Sequence, residues 1–246
     1  GLARFRANVF YSKGAVAAVF RQIPSLIPDF EALGLPPVML DMVNVASGLF
    51  LVTGPTGSGK STTLFSVLSL LNTPAVNIST VEDPVEFVHA SRRSLISQRE
   101  VGASTQSFAK ALKSALREDP DVILVGEMRD LDTIRLAITA AETGHLVLGT
   151  LHTSSAAKTM DRVVDVFPAE EKDMVRSMLS ESLNAVISQV LCKRKDGQGR
   201  VAAYEVMVGT PAVRNLIREG KVAQLYSAIQ TGRGVGMQTL DQSLAE

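Results

Sequence analysis

The sequence predicts an α/β protein built on a parallel sheet, and three observations support that prediction. Short apolar runs that suit buried strands alternate along the chain with segments of helical periodicity. Hydrophobic residues make up 46% of the 246 residues, which is enough for a well-buried core. A glycine-rich loop separates one of these strands from the helix that follows it. Continuous apolar strands in such an alternation indicate a sheet covered by helices on its faces.

The glycine-rich loop fits the pattern G-x-x-x-x-G-K-[ST], the phosphate-binding loop of nucleoside triphosphatases. Its glycines allow a tight turn, Lys60 can reach the β- and γ-phosphates, and the Ser61 hydroxyl can ligate Mg²⁺. A chance glycine-rich turn is the alternative. The apolar residues 49–52 before the loop and the helix-compatible residues 62–68 after it favour a true site, because they place phosphate at a helix N-terminus. The predicted contacts with ATP and Mg²⁺ are Gly54, Pro55, Thr56, Gly57, Ser58, Gly59, Lys60, Ser61 and Thr62.

Composition and charge exclude several classes of protein. Lys plus Arg number 25 and Asp plus Glu number 25, so the net charge is zero and the chain lacks the basic footprint of a nucleic-acid binder. The single cysteine, Cys192, excludes a disulfide framework and a cysteine-cluster zinc site. The sequence contains neither an apolar stretch of membrane-spanning length nor a signal-peptide pattern, so we expect a soluble protein of a reducing compartment.

Changes of pattern divide the chain into four predicted parts. Residues 2–10 alternate between apolar and polar, which predicts a half-buried strand, and we expect residues 1–23 to end a domain that starts upstream. Four prolines between Gln22 and Pro37 predict a linker over residues 24–37. Residues 38–168 form the predicted core, and residues 169–246 are predicted to be mainly helical.

Individual elements follow from the same patterns. We expect core strands at residues 75–80, 122–125 and 146–151, a helix that Ser104 caps, and a helix at residues 131–141. Apolar residues at every third or fourth position predict one long helix over residues 170–191. A turn at residues 196–199, a strand at 201–208, a helix at 212–219 and a second short helix ending near Gly232 complete the C-terminal part.

Acidic residues and histidines lie at the ends of three predicted strands. Glu127 follows residues 122–125, where it could order the attacking water or act as a base; an ordinary solvated carboxylate is the alternative. Glu82, Asp83 and Glu86 follow the strand at 75–80, although Asp83 could equally form a turn before Pro84. His145 and His152 bracket residues 146–151; they suit γ-phosphate sensing or a contact with another subunit, or else a structural role, more so for His145.

Four segments together resemble the type II/type IV secretion ATPase superfamily, most closely its pilus-retraction branch. They are the phosphate loop at 54–61, an aspartate box at 81–87, a Walker B region at 116–130 and a histidine box at 141–153. The resemblance implies a RecA-like ATPase core, the end of a PAS-like domain at residues 1–23, and Glu127, Glu86 and His152 as catalytic residues. Glu82, Asp83 and His145 are then expected near the nucleotide, and Arg4 and Arg6 lie where basic groups could reach that of a neighbouring subunit.

The same resemblance implies a homo-hexamer that uses ATP and Mg²⁺ in the bacterial cytoplasm, peripheral to the inner membrane at a pilus-base platform protein, without nucleic acid. Two features favour the retraction branch. Cys192 alone cannot form the cysteine cluster of the extension and secretion relatives. Residues 212–219 are similar to an Ala-Ile-Arg-Asn-Leu-Ile signature, with Val213 in place of isoleucine, and we expect Arg214 and Asn215 to face a partner. Ordinary packing of this helix, a secretion or pilus-assembly ATPase, and a nucleic-acid translocase are the alternatives.

Overall fold

The computed structural model describes residues 4–23 and 26–245 and contains two sheets. The strands are β1 Arg4–Ser12, β2 Ala15–Ile23, β3 Gly48–Thr53, β4 Asn77–Glu82, β5 Leu95–Glu100, β6 Val122–Val125, β7 Leu146–Leu151, β8 Leu183–Lys193 and β9 Arg200–Val208. Seven of them form the main sheet in the order β5-β4-β6-β7-β3-β8-β9. All of its neighbouring strands run parallel except β8 and β9, so the predicted parallel α/β architecture is confirmed.

Helices cover both faces of the main sheet. They are α1 Val38–Val43, α2 Lys60–Leu71, α3 Phe108–Ala115, α4 Leu131–Glu142, α5 Ala156–Asp165, α6 Lys172–Ser182, α7 Pro211–Arg218, α8 Val222–Thr231 and α9 Leu240–Ala245. The connection from β3 through α2 to β4 crosses the sheet in the opposite direction to the crossovers through α3 and α4. Because such crossovers are right-handed, α2 lies on the other face from α3 and α4. The reversal leaves a crevice at the carboxyl end of β3, where ligands of this fold class bind.

The core is continuous across the middle of the sheet. Every residue of β3, β6 and β7 is buried, and Leu49, Phe50, Leu51 and Val52 have no exposed surface. A strand covered on both faces has no polar side, which explains why these segments are mostly apolar in the sequence. The predicted strands at 122–125 and 146–151 are therefore confirmed with the same bounds.

The predicted long helix over residues 170–191 is wrong in its second half. Helix α6 ends at Ser182, and β8 then enters the sheet between β3 and the edge strand β9. Residues 183–189 are almost wholly buried, so their apolar spacing reflects packing on two faces and mimics a helical stripe. Helices still form most of the regular structure after residue 168, but β8 and β9 also complete the sheet begun within residues 38–168.

Further differences from the predictions concern the cap of α3 and the N-terminal region. Ser107, rather than Ser104, caps α3, since its side-chain oxygen accepts a 3.2 Å hydrogen bond from the Lys110 N–H. The predicted N-terminal strand is present as β1, but each of its nine residues is exposed rather than half-buried, and it pairs with β2 in an antiparallel hairpin that the sequence did not predict. Residues 24 and 25 of the predicted linker lie outside the described residues, and further along Phe30 and Leu35 are buried against the core.

Within residues 4–23 and 26–245, no helix is both long enough and apolar enough to cross a lipid bilayer.

Candidate nucleotide site

The glycine-rich loop joins the carboxyl end of β3 to the first turn of α2. Gly54, Gly57 and Gly59 have positive φ angles of 140°, 80° and 91°, a backbone region that other residues rarely adopt. Helix α2 begins at Lys60, and the first N–H groups of a helix have no acceptor within the helix itself. The loop therefore has the backbone shape and the helix N-terminus that an anionic phosphate requires.

Lys60 lies over this loop and is only 8% exposed. Its Nζ donates hydrogen bonds to the carbonyl oxygens of Gly54, at 2.9 Å, and of Pro55, at 3.0 Å. Burial lowers the pKa of the Lys60 ammonium, while the nearby negative charge of Glu127 acts in the opposite direction. An ammonium has three donors, and these carbonyls use two of them. At least one carbonyl bond therefore has to break when Lys60 donates to one oxygen of the β-phosphate and one of the γ-phosphate.

His152 connects Lys60 to Glu127 across the sheet edge. Its Nδ1 lies 3.4 Å from Lys60 Nζ, and its Nε2 lies 2.8 Å from Glu127 Oε1. These partners assign the tautomer of the neutral ring: the Nε2–H donates to the carboxylate, and Nδ1 accepts from the ammonium. The order β6-β7-β3 produces this series, because Glu127, His152 and the phosphate loop follow three adjacent parallel strands.

Two further contacts fix Glu127. Arg129 forms an ion pair with its Oε1 atom. The Thr150 hydroxyl donates a 2.6 Å hydrogen bond to the Gly126 carbonyl, which ties the end of β6 to β7. A cavity of about 180 Å³ opens beside Glu127 and His152, with Arg129, Thr153 and Arg162 also in its wall. The carboxylate is therefore held in place and has room beside it for water.

The acidic segment after β4 lies further from the phosphate loop. Since β6 and β7 separate β4 from β3, three strand spacings of about 4.8 Å intervene. Glu82 is buried, and its Oε1 accepts hydrogen bonds from Thr80 Oγ1 at 2.7 Å and Gln98 Nε2 at 3.0 Å. These donors lie on β4 and β5, away from β3, and the nucleotide contact expected of Glu82 stays a prediction. Asp83 is exposed.

Glu86 lies in the same loop and is half-buried. The Arg4 guanidinium donates to the carbonyl oxygens of Glu86 and Val85, both at 2.9 Å. The Val85 N–H in turn donates to Glu100 Oε2 at 2.9 Å. Within this chain, Arg4 therefore contacts the loop that carries a candidate catalytic acid.

Glu82 leads to a prediction about stability. Burial raises the pKa of its carboxyl above the ordinary value of 4.5, so the folded chain retains a proton that the unfolded chain releases. We expect the free energy of unfolding to fall, relative to Glu82→Gln, as pH rises from about 4.5 through the raised pKa and to level off above it. Urea unfolding without nucleotide at several pH values measures the difference. The exposed Glu142→Gln is the control, and parallel curves for wild type and Glu82→Gln would contradict the prediction.

His145 does not meet the phosphate loop of its own chain. It precedes the amino end of β7, whereas His152 follows the carboxyl end, and a six-residue strand spans about 20 Å. Its Nδ1 lies 3.0 Å from the Ala140 carbonyl at the end of α4, and its own carbonyl accepts from the Gly48 N–H. The prediction of a nucleotide contact for His145 within one chain is therefore wrong, while a contact with another subunit stays a prediction.

Sequence reasoning missed Gln189, a buried residue of β8 whose amide contacts both the phosphate loop and α2. The incorrect helix over residues 170–191 concealed it, because a strand beside β3 was not expected there. A polar side chain within a buried apolar run was the one signal that could have identified it.

The residues present suit a magnesium nucleotide. The glycine loop, the Lys60 ammonium and the start of α2 provide donors for phosphate, and the Ser61 hydroxyl provides an oxygen ligand. In the part of the chain that the structure describes, no three His, Cys, Asp or Glu side chains are grouped as a metal site. Mg²⁺ would accordingly be held through nucleotide oxygens together with Ser61.

Comparisons with known proteins agree with this geometry. Residues 9–196 match the family described as Type II/IV secretion system protein. The chain is 67% identical to the type IV pilus retraction ATPase PilT of Pseudomonas aeruginosa over 245 residues, which cover 99% of this chain and 71% of that protein. It is 62% identical over 244 residues to the twitching motility protein of Neisseria gonorrhoeae, covering 99% of this chain and 65% of that protein.

Two solved structures have the same fold. The crystal structure of the pilus retraction motor PilT with bound ADP superposes with a TM-score of 0.93 at 53% identity, over 100% of this chain and 70% of that one. The ATPase DotB of Legionella pneumophila gives a TM-score of 0.85 at 34% identity, over 98% and 67%. The present chain thus spans about two thirds of the length of its relatives.

Proposed function

The chain belongs to the family of Type II/IV secretion system proteins, and on this premise we propose that it is an ATP-hydrolysing motor that powers the retraction of type IV pili. The observation that carries the proposal is the series of contacts from Lys60 through His152 to Glu127 beside the phosphate loop. Likeness over 99% of the chain to a pilus retraction ATPase and to a twitching motility protein supports the retraction branch.

Each side chain of the site has a proposed role. The Ser61 hydroxyl would hold Mg²⁺, which when bound would supply charge neutralisation at the phosphates. Lys60 exchanges carbonyl partners for phosphate oxygens. Glu127 orients the attacking water. His152 contacts both Glu127 and Lys60, so it fixes the position of the carboxylate relative to the ammonium. Glu86 is the second candidate for the water-orienting carboxylate, and Glu82 and Asp83 contribute negative charge at the same sheet edge.

We also propose that six copies form a ring on the cytoplasmic side of the inner membrane, where the ring acts on a platform protein at the pilus base. A charge supplied by one subunit to the γ-phosphate of the next would couple hydrolysis to subunit movement. Arg4 and Arg6 remain candidates for that charge. Because Arg4 binds the Glu86 loop within this chain, we expect such a transfer to require that its bonds to Val85 and Glu86 break.

Two measurements on the full-length protein test these proposals. ATP turnover is compared with and without the platform membrane protein, and pilus retraction is followed in cells that carry or lack the gene. Stimulation by the platform protein and loss of retraction are expected. Stimulation by DNA instead would favour a nucleic-acid translocase on the same core, and loss of secretion or pilus assembly with retraction intact would favour another member of the family.

Helix α7 provides a prediction about coupling, with one correction. Arg214 is not free for a partner: its Nε donates to the Gly209 carbonyl at 2.7 Å, and its Nη1 donates to the carbonyls of Ser180 and Glu181 at the end of α6. We therefore expect Arg214→Ala to lower the free energy of unfolding by about 2 kcal/mol. Asn215 and Arg218 are exposed. The double replacement of Asn215 and Arg218 by alanine is expected to retain stability and ATPase activity and to lose retraction.

Parallel urea unfolding, ATPase and twitching assays on the same full-length variants decide the role of α7. The control is Lys113→Ala, which removes an exposed lysine of α3. Equal loss of ATPase activity and twitching in the Asn215 and Arg218 variant, or no loss in either, would contradict coupling through this surface. Wild-type stability of Arg214→Ala would contradict a stabilising role for the hydrogen bonds that Arg214 donates to main-chain carbonyls.

A further inference from the structure

We propose that Gln189 is a positioning residue that holds the phosphate loop in its nucleotide-binding shape and thereby sets the affinity for nucleotide. Its side chain is 1% exposed. The Nε2 amide donates a 2.6 Å hydrogen bond to the Ser58 carbonyl in the loop, and Oε1 accepts a 2.9 Å hydrogen bond from the Thr63 hydroxyl in the first turn of α2. One side chain of β8 thus joins the loop to the helix that follows it.

The main chain of the loop also lies directly against Gln189. A Cβ atom added to Gly54 would lie 2.3 Å from the Gln189 carbonyl oxygen, and one added to Gly59 would lie 3.1 Å from Nε2. The first distance is far below van der Waals contact, and the second is tight. These glycines are therefore needed for a close approach to β8 as well as for positive φ angles, so Gln189 contacts the loop at both of its ends.

The hydrogen bond to Ser58 also orients a backbone N–H group of the phosphate loop. In a planar trans peptide the C=O and the following N–H point in opposite directions. Because the Ser58 carbonyl points toward Gln189, the Gly59 N–H points away from β8, toward the open side of the loop. Gln189 therefore orients a backbone donor of the kind that binds phosphate in such loops.

The chemistry of the amide explains why this position requires glutamine. The Ser58 carbonyl of the loop needs a hydrogen-bond donor, and the Thr63 hydroxyl of α2 needs an acceptor. A primary amide provides both, whereas a carboxylate lacks the donor and a hydrocarbon lacks both. Since Ser58 and Gln189 are buried, an unpaired Ser58 carbonyl would favour loop shapes in which it reaches water. The strand itself is rigid, because β8 pairs with β3 on one side and with β9, at Tyr204, on the other.

The test is the variant Gln189→Met, which has a similar volume and neither hydrogen bond. We expect the dissociation constants for Mg²⁺–ADP and for a slowly hydrolysed Mg²⁺–ATP analogue to rise about tenfold, which corresponds to ~1.4 kcal/mol. The kcat at saturating ATP should fall less than threefold, because Gln189 is not near Glu127. Val186→Ala is the control; this buried neighbour points to the other face of β8, so it should lose stability with unchanged nucleotide affinity.

Unchanged dissociation constants for Gln189→Met, or a loss of affinity equalled by Val186→Ala, would overturn the inference. If Gln189→Met does not fold, Thr63→Val removes only the donor to Oε1 and should raise the dissociation constants about threefold; no change there would equally overturn it. The inference rests on the loop being the phosphate site, so Lys60→Ala is measured in parallel. Wild-type nucleotide binding by Lys60→Ala would refute the assignment of the loop as the phosphate site. Loss of nucleotide binding by Lys60→Ala, together with normal binding by Gln189→Met, would refute only the role of Gln189.

Discussion

Replacing Lys60 by alanine is expected to abolish useful ATP turnover, with kcat/KM lower by a factor of about 10²–10³, or roughly 3–4 kcal/mol in the transition state. Lys60 is buried beside the loop and already has hydrogen-bonded carbonyl partners, so its ammonium is held within reach of the phosphates. An alanine leaves the developing charge on the transferred phosphoryl group without this donor. Steady-state hydrolysis by the full-length protein measures the effect.

The control for this variant is Lys158→Ala, which removes an exposed lysine from α5. It should hydrolyse ATP as wild type does. Removal of Lys60 also leaves the carbonyls of Gly54 and Pro55 without their donor, so thermal unfolding has to accompany the assay. A folded Lys60→Ala protein with normal turnover would refute the assignment of the loop as the nucleotide site.

Much of the fold could be predicted because its signals are local. The phosphate loop depends on closely spaced glycines with positive φ, and β6 and β7 are mostly apolar, since both of their faces are covered. Helix α7 was predictable from Thr210 and Pro211 at its start, and the Thr210 hydroxyl indeed accepts from the Val213 N–H. Each of these features needs only the neighbouring residues to specify it.

The errors arise where tertiary packing decides. Strand β8 has the spacing of a helix but forms a strand because it can pair with β3 and β9 simultaneously. His145 and His152 each lie next to an end of β7. Only His152 is at the carboxyl end, which lies beside the loop that follows the parallel strand β3. The direction of a parallel sheet was available from the sequence, and it separates the two histidines without a structure.

Contacts between distant segments could not be predicted at all. Gln189 and Ser58 are 131 residues apart, and no local pattern relates them. Arg214 was expected to face a partner because it lies off the apolar stripe of α7. It instead binds the end of α6, since a long guanidinium can reach main-chain carbonyls on a neighbouring helix. Side-chain periodicity identifies the buried face of a helix, but it does not show what the remaining side chains reach.

The choice between the two candidate acids leads to the second large effect. We expect Glu127→Gln to bind Mg²⁺–ATP with nearly normal affinity and to hydrolyse it about 10²–10⁴-fold more slowly. Glutamine keeps the shape and an oxygen that accepts from His152 Nε2, but it loses the negative charge that orients water. The lost ion pair to Arg129 should cost little stability, because the Arg129 side chain is 68% exposed.

Geometry favours Glu127 over Glu86, because Glu127 is linked through His152 to Lys60, whereas the loop carrying Glu86 follows a strand one position further from β3. Rates of single-turnover hydrolysis and nucleotide dissociation constants for Glu127→Gln and Glu86→Gln measure the two roles separately. Glu171→Gln is the matched control, since Glu171 also pairs with an arginine, Arg135, at a surface remote from the loop. If Glu127→Gln turned over normally while Glu86→Gln stalled, the water-orienting role would belong to Glu86, and the β4 loop would have to move toward the phosphates during the cycle.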